Sequence, residues 1–327
     1  MLSRVADSLY WMSRYLERAE HVARLLDVNL QGMLDQGSEP GPERWERLLG
    51  SLGVKVNGTA LEAYAVTKRL AFDPKSVNSI SACVSAAREN ARQVRQQIAS
   101  EMWEQINTLY LKVRGTTMDD LWNREPHDFL TEVKEGIHTF QGVTDSTLSH
   151  GEGWRFIQTG RFLERASATA MLLEDCYGRW SEAVPAGGED GDGEDDDGPD
   201  YMGWVSLLKS CTAFEAYCKV YTADVRPERI LEFLLLDNEF PRSVAYCAHK
   251  VQVALDMIAD KTDSRRNSRT NRLAGKLCAD LDFGALDEIG GGRVSQVLSN
   301  VQKGCSQIHQ AVHEQYIAYP IESALSA

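Results

Sequence analysis

The 327-residue sequence lacks several things, and each absence removes a class of protein. No apolar run approaches the roughly 18 residues of a membrane-spanning helix, so a helical membrane protein is excluded. The opening MLSRVADSLYWMSRYLERAE is charged throughout and has no uninterrupted apolar stretch, so it does not read as a secretory signal. None of the seven cysteines forms a C-x-x-C pair, and the count is odd. Reduced, mostly buried thiols in a cytoplasmic protein are expected. G-x-x-x-x-G-K-[ST], G-x-S-x-G and H-E-x-x-H are all missing. Basic residues are in deficit, at 35 Lys and Arg against 48 Asp and Glu. Nine of those acids crowd between Glu182 and Asp200, a segment without Lys or Arg. The remainder is only mildly acidic, and nucleic-acid binding is not favoured.

Helical periodicity fills most of what is there. Ser8, Met12, Tyr15, Ala19, Val22, Ala23 and Leu26 recur at steps of three and four, which predicts a first helix with one apolar face. Ser3 is placed at its N-cap and Gly32 near its C-terminal end. EPGPERW then breaks the chain. Further helices are predicted at about 59–72, 76–114, 126–149, 153–180, 201–222, 227–236, 241–261, 266–281 and 293–318. Pro74, Pro126, Pro227 and Pro241 sit at proposed helix starts, where a missing N–H does little harm. The stretch EAVPAGGEDGDGEDDDGPD cannot bury apolar area and is expected to be a disordered surface loop over 182–200.

The chain also repeats itself. RYLERAEHVARLLD from Arg14 and RFLERASATAMLLE from Arg161 share eight of fourteen positions at an offset of 147. DPKSVNSISAC from Asp73 lies over DNEFPRSVAYC from Asp237, which pairs Ser79 with Ser243 and Cys83 with Cys247 at an offset of 164. NTLYLK from Asn107 meets NRLAGK from Asn271 at the same offset, and FLTEVKEG from Phe129 meets VLSNVQKG from Val297 at 168. Gly136 and Gly304 fall mid-helix at matching places, which predicts close helix approach. The expected architecture is all-α. It is an internally duplicated bundle of two four-helix-like halves, 1–150 and 151–327, related by a pseudo-twofold axis and forming one compact unit.

The repeated charges pose the functional question. Arg14, Glu17 and Arg18 in the first copy correspond to Arg161, Glu164 and Arg165 in the second. Three readings stay open. The residues form weak surface pairs; or Arg14 meets Glu164 and Arg161 meets Glu17 as a contact between halves; or both copies line a cleft for an anionic or peptide-like ligand. Arg88, Glu89, Asn90 and Arg92 form a second polar surface, near Trp103 and Trp122. Arg265, Arg269, Arg272 and Lys276 make one helical stripe able to hold an anion. Glu135 and His138 have the Glu-x-x-His spacing of di-iron bundles, but no second pair accompanies them, so no metal and no other cofactor is expected.

Taken together, MLSRVADSLYWMSRYLERAEHVARLLDVN, SARENARQVR, EMWEQIN, FPRSVAYC and SRTNRLAGKL resemble the bacterial alpha-E domain proteins over nearly the whole chain. That family is named for its helices and its Glu-Arg motif, which maps to Glu17-Arg18 with an internal echo at Glu164-Arg165. The acidic stretch 182–200 has no place in the pattern. The resemblance implies a cytoplasmic helical protein encoded beside, or fused to, circularly permuted ATP-grasp proteins and transglutaminase-like peptidases. It thereby implies a system that makes or modifies a peptide. The leading expectation is a non-catalytic accessory protein that holds the ATP-grasp amide ligase or its peptide substrate. The alternatives are an enzyme using Glu17 or Glu164 as acid or base, and a scaffold without a ligand.

Overall fold

The computed structural model describes residues 1–36, 41–56, 60–123, 125–183, 201–222, 224–261, 268–284 and 293–317. Among them every regular element is helical: α1 Ser3–Gln36, α2 Pro42–Ser51, α3 Ala63–Phe72, α4 Ile80–Gln93, α5 Ser100–Gly115, α6 Met118–Asn123, α7 Pro126–Thr147, α8 Glu152–Ala183, α9 Tyr201–Ser210, α10 Phe214–Tyr221, α11 Pro227–Leu236, α12 Val244–Lys261, α13 Arg269–Ala279 and α14 Val294–Val312. Two π-helical turns, Asp280–Gly284 and His313–Ile317, extend α13 and α14. None of these helices is long and apolar enough to cross a membrane. Of the acidic stretch 182–200, Glu182 and Ala183 close α8, and 184–200 lies outside the described residues.

The two longest helices, α1 and α8, pack against each other at the centre. On one side α1 packs on α4 and α7, and both of these pack on α5. On the other side α8 packs on α12 and α14, and both of these pack on α13. Buried side chains from both sets join in one continuous apolar core, with Tyr10, Trp45, Phe140, Phe156 and Tyr217 among the largest. The crossing of α1 and α8 is tight at Gly160. A Cβ there would run into Ser13 Oγ and the Tyr10 carbonyl. Gly136 and Gly304 allow similar approaches, where a Cβ would lie 3.0 Å from Leu109 Cδ1 and 3.2 Å from Leu277 Cδ1.

Two turns share one hydrogen-bonding scheme. The Asp73 carboxylate accepts from Lys75 N at 2.9 Å, its carbonyl accepts from Ser79 Oγ at 2.5 Å, and Ser79 Oγ caps α4 by accepting from Ala82 N at 3.2 Å. Asp237 accepts from Glu239 N at 2.8 Å and from Ser243 Oγ, which accepts in turn from Tyr246 N at 3.1 Å. Cys83 and Cys247 each donate to a carbonyl of their own turn, Val77 and Pro241. Pro126 and Pro227 open α7 and α11 as N-terminal prolines. Pro74 and Pro241 lie instead within these Asp turns, ahead of their helices.

Several boundaries differ from the periodic reading. The predicted helix 76–114 is two helices, because the chain reverses between Gln93 and Ser100 without Gly or Pro. Buried Val94 and Ile98 anchor that reversal, so their apolar spacing looks helical while they serve a turn. The predicted 201–222 helix breaks after Ser210, where Thr212 has φ 51°. The break predicted at EPGPERW, 39–45, runs into α2, whose Pro42 opens the helix and whose Trp45, Leu48 and Leu49 are buried. Ala6 N bonds to the Leu2 carbonyl, so Leu2 rather than Ser3 takes the cap position. Gly32 lies near the C-terminal end of α1 as expected, four residues before Gln36.

Candidate functional site

The central α1–α8 contact is lined by charge. Glu17 is almost fully buried and receives Arg165 from α8 in a two-point grip, Nε to Oε1 at 2.5 Å and Nη2 to Oε2 at 2.9 Å. Gln141 of α7 donates to the same carboxylate at 3.3 Å, and Arg242 lies 3.8 Å away. In the opposite direction Glu164 of α8 receives Arg14 Nε and Arg18 Nε of α1, both at 2.6 Å. The dominant partner of Glu17 is therefore Arg165. Arg161 stands 4.0 Å from Glu17, and its Nε has no hydrogen-bond partner among the described residues.

Further buried charges extend this centre along α1. Glu20 pairs with Arg24, with Arg242 at 2.7 Å and with His138 at 3.3 Å. Asp27 receives Lys134 at 2.5 Å and His127 at 2.7 Å. Their signal was present in the sequence: Glu17, Glu20, Arg24 and Asp27 follow steps of three, four and three, a single helical stripe. Arg242 was hidden inside the Asp237 turn, more than 200 residues from its partner, and nothing local marks it.

Six guanidinium groups (Arg14, Arg18, Arg24, Arg161, Arg165 and Arg242) meet three carboxylates here (Glu17, Glu20 and Glu164). This excess decides the protonation states. Burial pushes the Glu17 carboxyl up, but Arg165 and Arg242 outweigh it, so its pKa falls below the usual carboxylate range. Burial is likewise outweighed at Glu164 by Arg14 and Arg18. At Glu20 it is outweighed by Arg242, the His138 hydrogen bond and Arg24. All three are held ionised. Arg161 goes the other way, lowered by burial and by Arg165 beside it.

A polar cap closes one end. Tyr10 Oη and Arg14 Nη1 each lie 2.9 Å from His309 Nδ1. A guanidinium can only donate, so Nδ1 accepts and the ring carries its proton on Nε2. Burial, and then Arg14, push the His309 pKa down to about 4, which agrees with a neutral ring. His21, fully enclosed, is also pushed down to about 4 by burial.

The other sequence candidates lie elsewhere. Arg88 donates to Asn107 at 2.6 Å and lies over the rings of Tyr110 and Trp103. Glu89 and Arg92 form an exposed pair, and Asn90 bonds to the backbone of its own helix. Arg269, Arg272 and Lys276 occupy the exposed face of α13, with Arg269 on Glu314 at 2.7 Å, while Arg265 falls outside the described residues. Among the described residues no group of three metal-ligating side chains converges. All seven cysteines are free.

Residues 1–317 match the Alpha-E family model, described as a predicted alpha-helical domain with a conserved ER motif. The chain is similar to an uncharacterized protein of Mycobacterium bovis and one of a Mycobacterium tuberculosis strain, each 25% identical over 290 residues, and to a protein of a second M. tuberculosis strain at 24%. Each match covers 81% of this chain and 31% of the relative, so the chain spans about a third of their length. No solved structure matches. The chain belongs to the Alpha-E family.

Proposed function

We propose that this Alpha-E chain is a non-catalytic accessory protein of a peptide-making or peptide-modifying system in the cytoplasm. It binds a circularly permuted ATP-grasp amide ligase, or the peptide that the ligase and a transglutaminase-like partner handle, through its polar helix faces. The chain is an internal duplication, 1–150 and 151–327, about a pseudo-twofold axis, and its Glu-Arg motifs serve as a reciprocal clasp between the halves.

One observation carries the reading: each motif glutamate is engaged by arginines of the other long helix, Glu17 by Arg165 and Glu164 by Arg14 and Arg18. An ionised carboxylate with its lone pairs in such bonds has no proton to give and little basicity to offer. The clasp therefore holds structure, which argues against the acid–base reading of Glu17 and Glu164. Support for the duplication comes from the two Asp turns and from the α1–α8 crossing, where Gly160 faces Ser13, its own counterpart at the offset of 147. The exposed Glu89–Arg92 pair, beside the Arg88–Tyr110–Trp103 stack, is the proposed partner face.

The test is direct binding of the purified chain to a circularly permuted ATP-grasp protein of the same organism, by surface plasmon resonance. Association that weakens on Glu89→Arg with Arg92→Glu is expected. Absence of association overturns the partner reading, and loss of product formation in a well-folded Glu164→Gln variant overturns the non-catalytic one.

A further inference from the structure

The polar surface of α4 and α5 is ordered as a ladder. Arg95 lies over the ring of Trp103 at 5.9 Å, and Arg88 over the same ring at 5.4 Å. Arg88 also lies over Tyr110 at 4.5 Å, and Arg114 over Tyr110 at 5.9 Å. Three guanidiniums thus alternate with two rings, in the order Arg95, Trp103, Arg88, Tyr110, Arg114. Arg114 is exposed and the other four are half-buried.

The sequence of α5 dictates this arrangement. Trp103, Asn107, Tyr110 and Arg114 recur at steps of four, three and four, so they share one stripe. Met102, Ile106, Leu109 and Val113 are buried and fix the rotation of the helix, which leaves that stripe at the surface. Arg88 reaches it from α4, and Arg95 from the reversal between the two helices.

Most of each guanidinium is unused. Arg88 Nε donates to Asn107 at 2.6 Å, Arg95 Nη2 to Ser100 Oγ at 3.3 Å, and Arg114 Nη1 to Tyr110 Oη at 3.1 Å. An arginine carries five N–H donors. Each of the three makes one hydrogen bond, to a neutral acceptor, and among the described residues none of them joins an ion pair. Glu89 feels the charge of Arg88, but Arg92 bonds both its oxygens, at 2.6 and 2.9 Å. Stacking holds the flat face of a guanidinium against a ring and leaves the N–H edge open. That edge is the part that meets a carboxylate in two parallel hydrogen bonds. The stacks also restrict the side chains beforehand, so less rotamer freedom is lost on binding. From Trp103 to Arg114 the stripe is about 16 Å long at 1.5 Å rise per residue. An extended peptide covers that distance with about five residues.

We propose that this ladder binds an extended acidic segment of a partner protein, with Asp or Glu carboxylates on the edges of Arg95, Arg88 and Arg114. The proposal rests on the accessory reading for the partner's identity and names the chemistry that this face recognises. An acidic peptide is favoured over single-stranded nucleic acid. A base needs a ring free for stacking, and each ring here already carries two guanidiniums.

Fluorescence anisotropy on the full chain tests it, with fluorescein-labelled hexaglutamate, hexaglutamine and deca-thymidylate as probes. Hexaglutamate is expected to bind at least about tenfold more tightly than hexaglutamine, because charge-assisted hydrogen bonds are the stronger kind. Arg88→Gln and Arg114→Gln should each weaken it by about three- to fivefold, the loss expected for one partly exposed ion pair. Arg88→Lys keeps the charge but loses the planar fork, and should weaken it too. Arg272→Gln removes the same charge from α13 and should leave the affinity unchanged. Melting curves check the fold of each variant, and the exposed Arg114 keeps the test decisive should Arg88→Gln fail to fold. Equal binding of the two peptides, no binding of hexaglutamate, an unchanged affinity in Arg114→Gln, or tighter binding of deca-thymidylate would overturn the proposal. Hexaglutamate binding without association of the ATP-grasp protein would overturn the partner reading alone. Association of that protein without hexaglutamate binding would overturn the ladder alone.

Discussion

Arg165 of α8 grips both oxygens of Glu17 of α1 across the centre of the molecule, at 2.5 and 2.9 Å. The return contact, Arg18 to Glu164 at 2.6 Å, uses the same two motif positions with the helices exchanged. The two contacts differ in environment. The Glu17 and Arg165 side chains are 2% and 5% exposed, while Arg14 and Arg18 around Glu164 are 12% and 20% exposed.

That difference sets an order of sensitivity. Removing one partner of a buried ion pair strands the other and costs about 3–5 kcal/mol. Glu17→Gln should approach this range. Glu164→Gln should cost less, because water reaches Arg14 and Arg18. Chemical denaturation of both variants checks the order, and an equal or inverted cost contradicts the burial argument.

Gly160 should tolerate no side chain. Helix propensity alone favours Gly160→Ala by about 1 kcal/mol. The new Cβ would meet the Tyr10 carbonyl, which is helix backbone and cannot step aside. Overpacking of this kind costs about 1–3 kcal/mol, so the net effect is a loss. Thermal melts of Gly160→Ala should show a lower midpoint; a higher one would mean that α1 and α8 separate easily.

Acid should weaken the fold before the carboxylates titrate. His21 and His309 are both pushed down to about 4 from the ordinary 6.5. Between those values the unfolded chain binds protons that the folded chain refuses, so stability falls as pH drops from about 6.5 towards 4. Glu17, Glu20 and Glu164 are depressed, so their contribution is present above the ordinary 4.5 and is lost as pH falls further. Melts across this range should show the first limb, and His21→Gln should flatten it. A slope unchanged by that substitution would remove His21 from the account.

The thiols should divide into two classes. Cys218 is partly exposed, and the other six are buried. Burial pushes Cys83, Cys247, Cys278 and Cys305 up to about 12 and Cys211 to about 11. A thiol-reactive chromophore should label one cysteine quickly in the native chain and the rest only on unfolding. Rapid labelling of several would show that the core opens readily.

The all-helical class was legible because long amphipathic stretches dominate the chain, and α11 was located to the residue. The α4–α5 reversal was not, because Val94 and Ile98 keep helical spacing while serving a turn. The motif residues could be named from their repetition, but their partners could not be ranked. On a helical wheel Arg161 and Arg165 both flank Glu164, and only the crossing of α1 and α8 decides which one reaches Glu17. Arg242 illustrates the remaining limit. It enters the charged centre through a turn, so its role depends on packing between segments more than 200 residues apart.

The central claim is that the Glu-Arg motif joins the two long helices energetically. A double-mutant cycle on Glu17→Gln and Arg165→Met, read by chemical denaturation, measures that coupling. The account predicts a double variant less destabilised than the sum of the single variants by about 1–3 kcal/mol, as for residues in one buried network. Additivity within about 0.5 kcal/mol would contradict it.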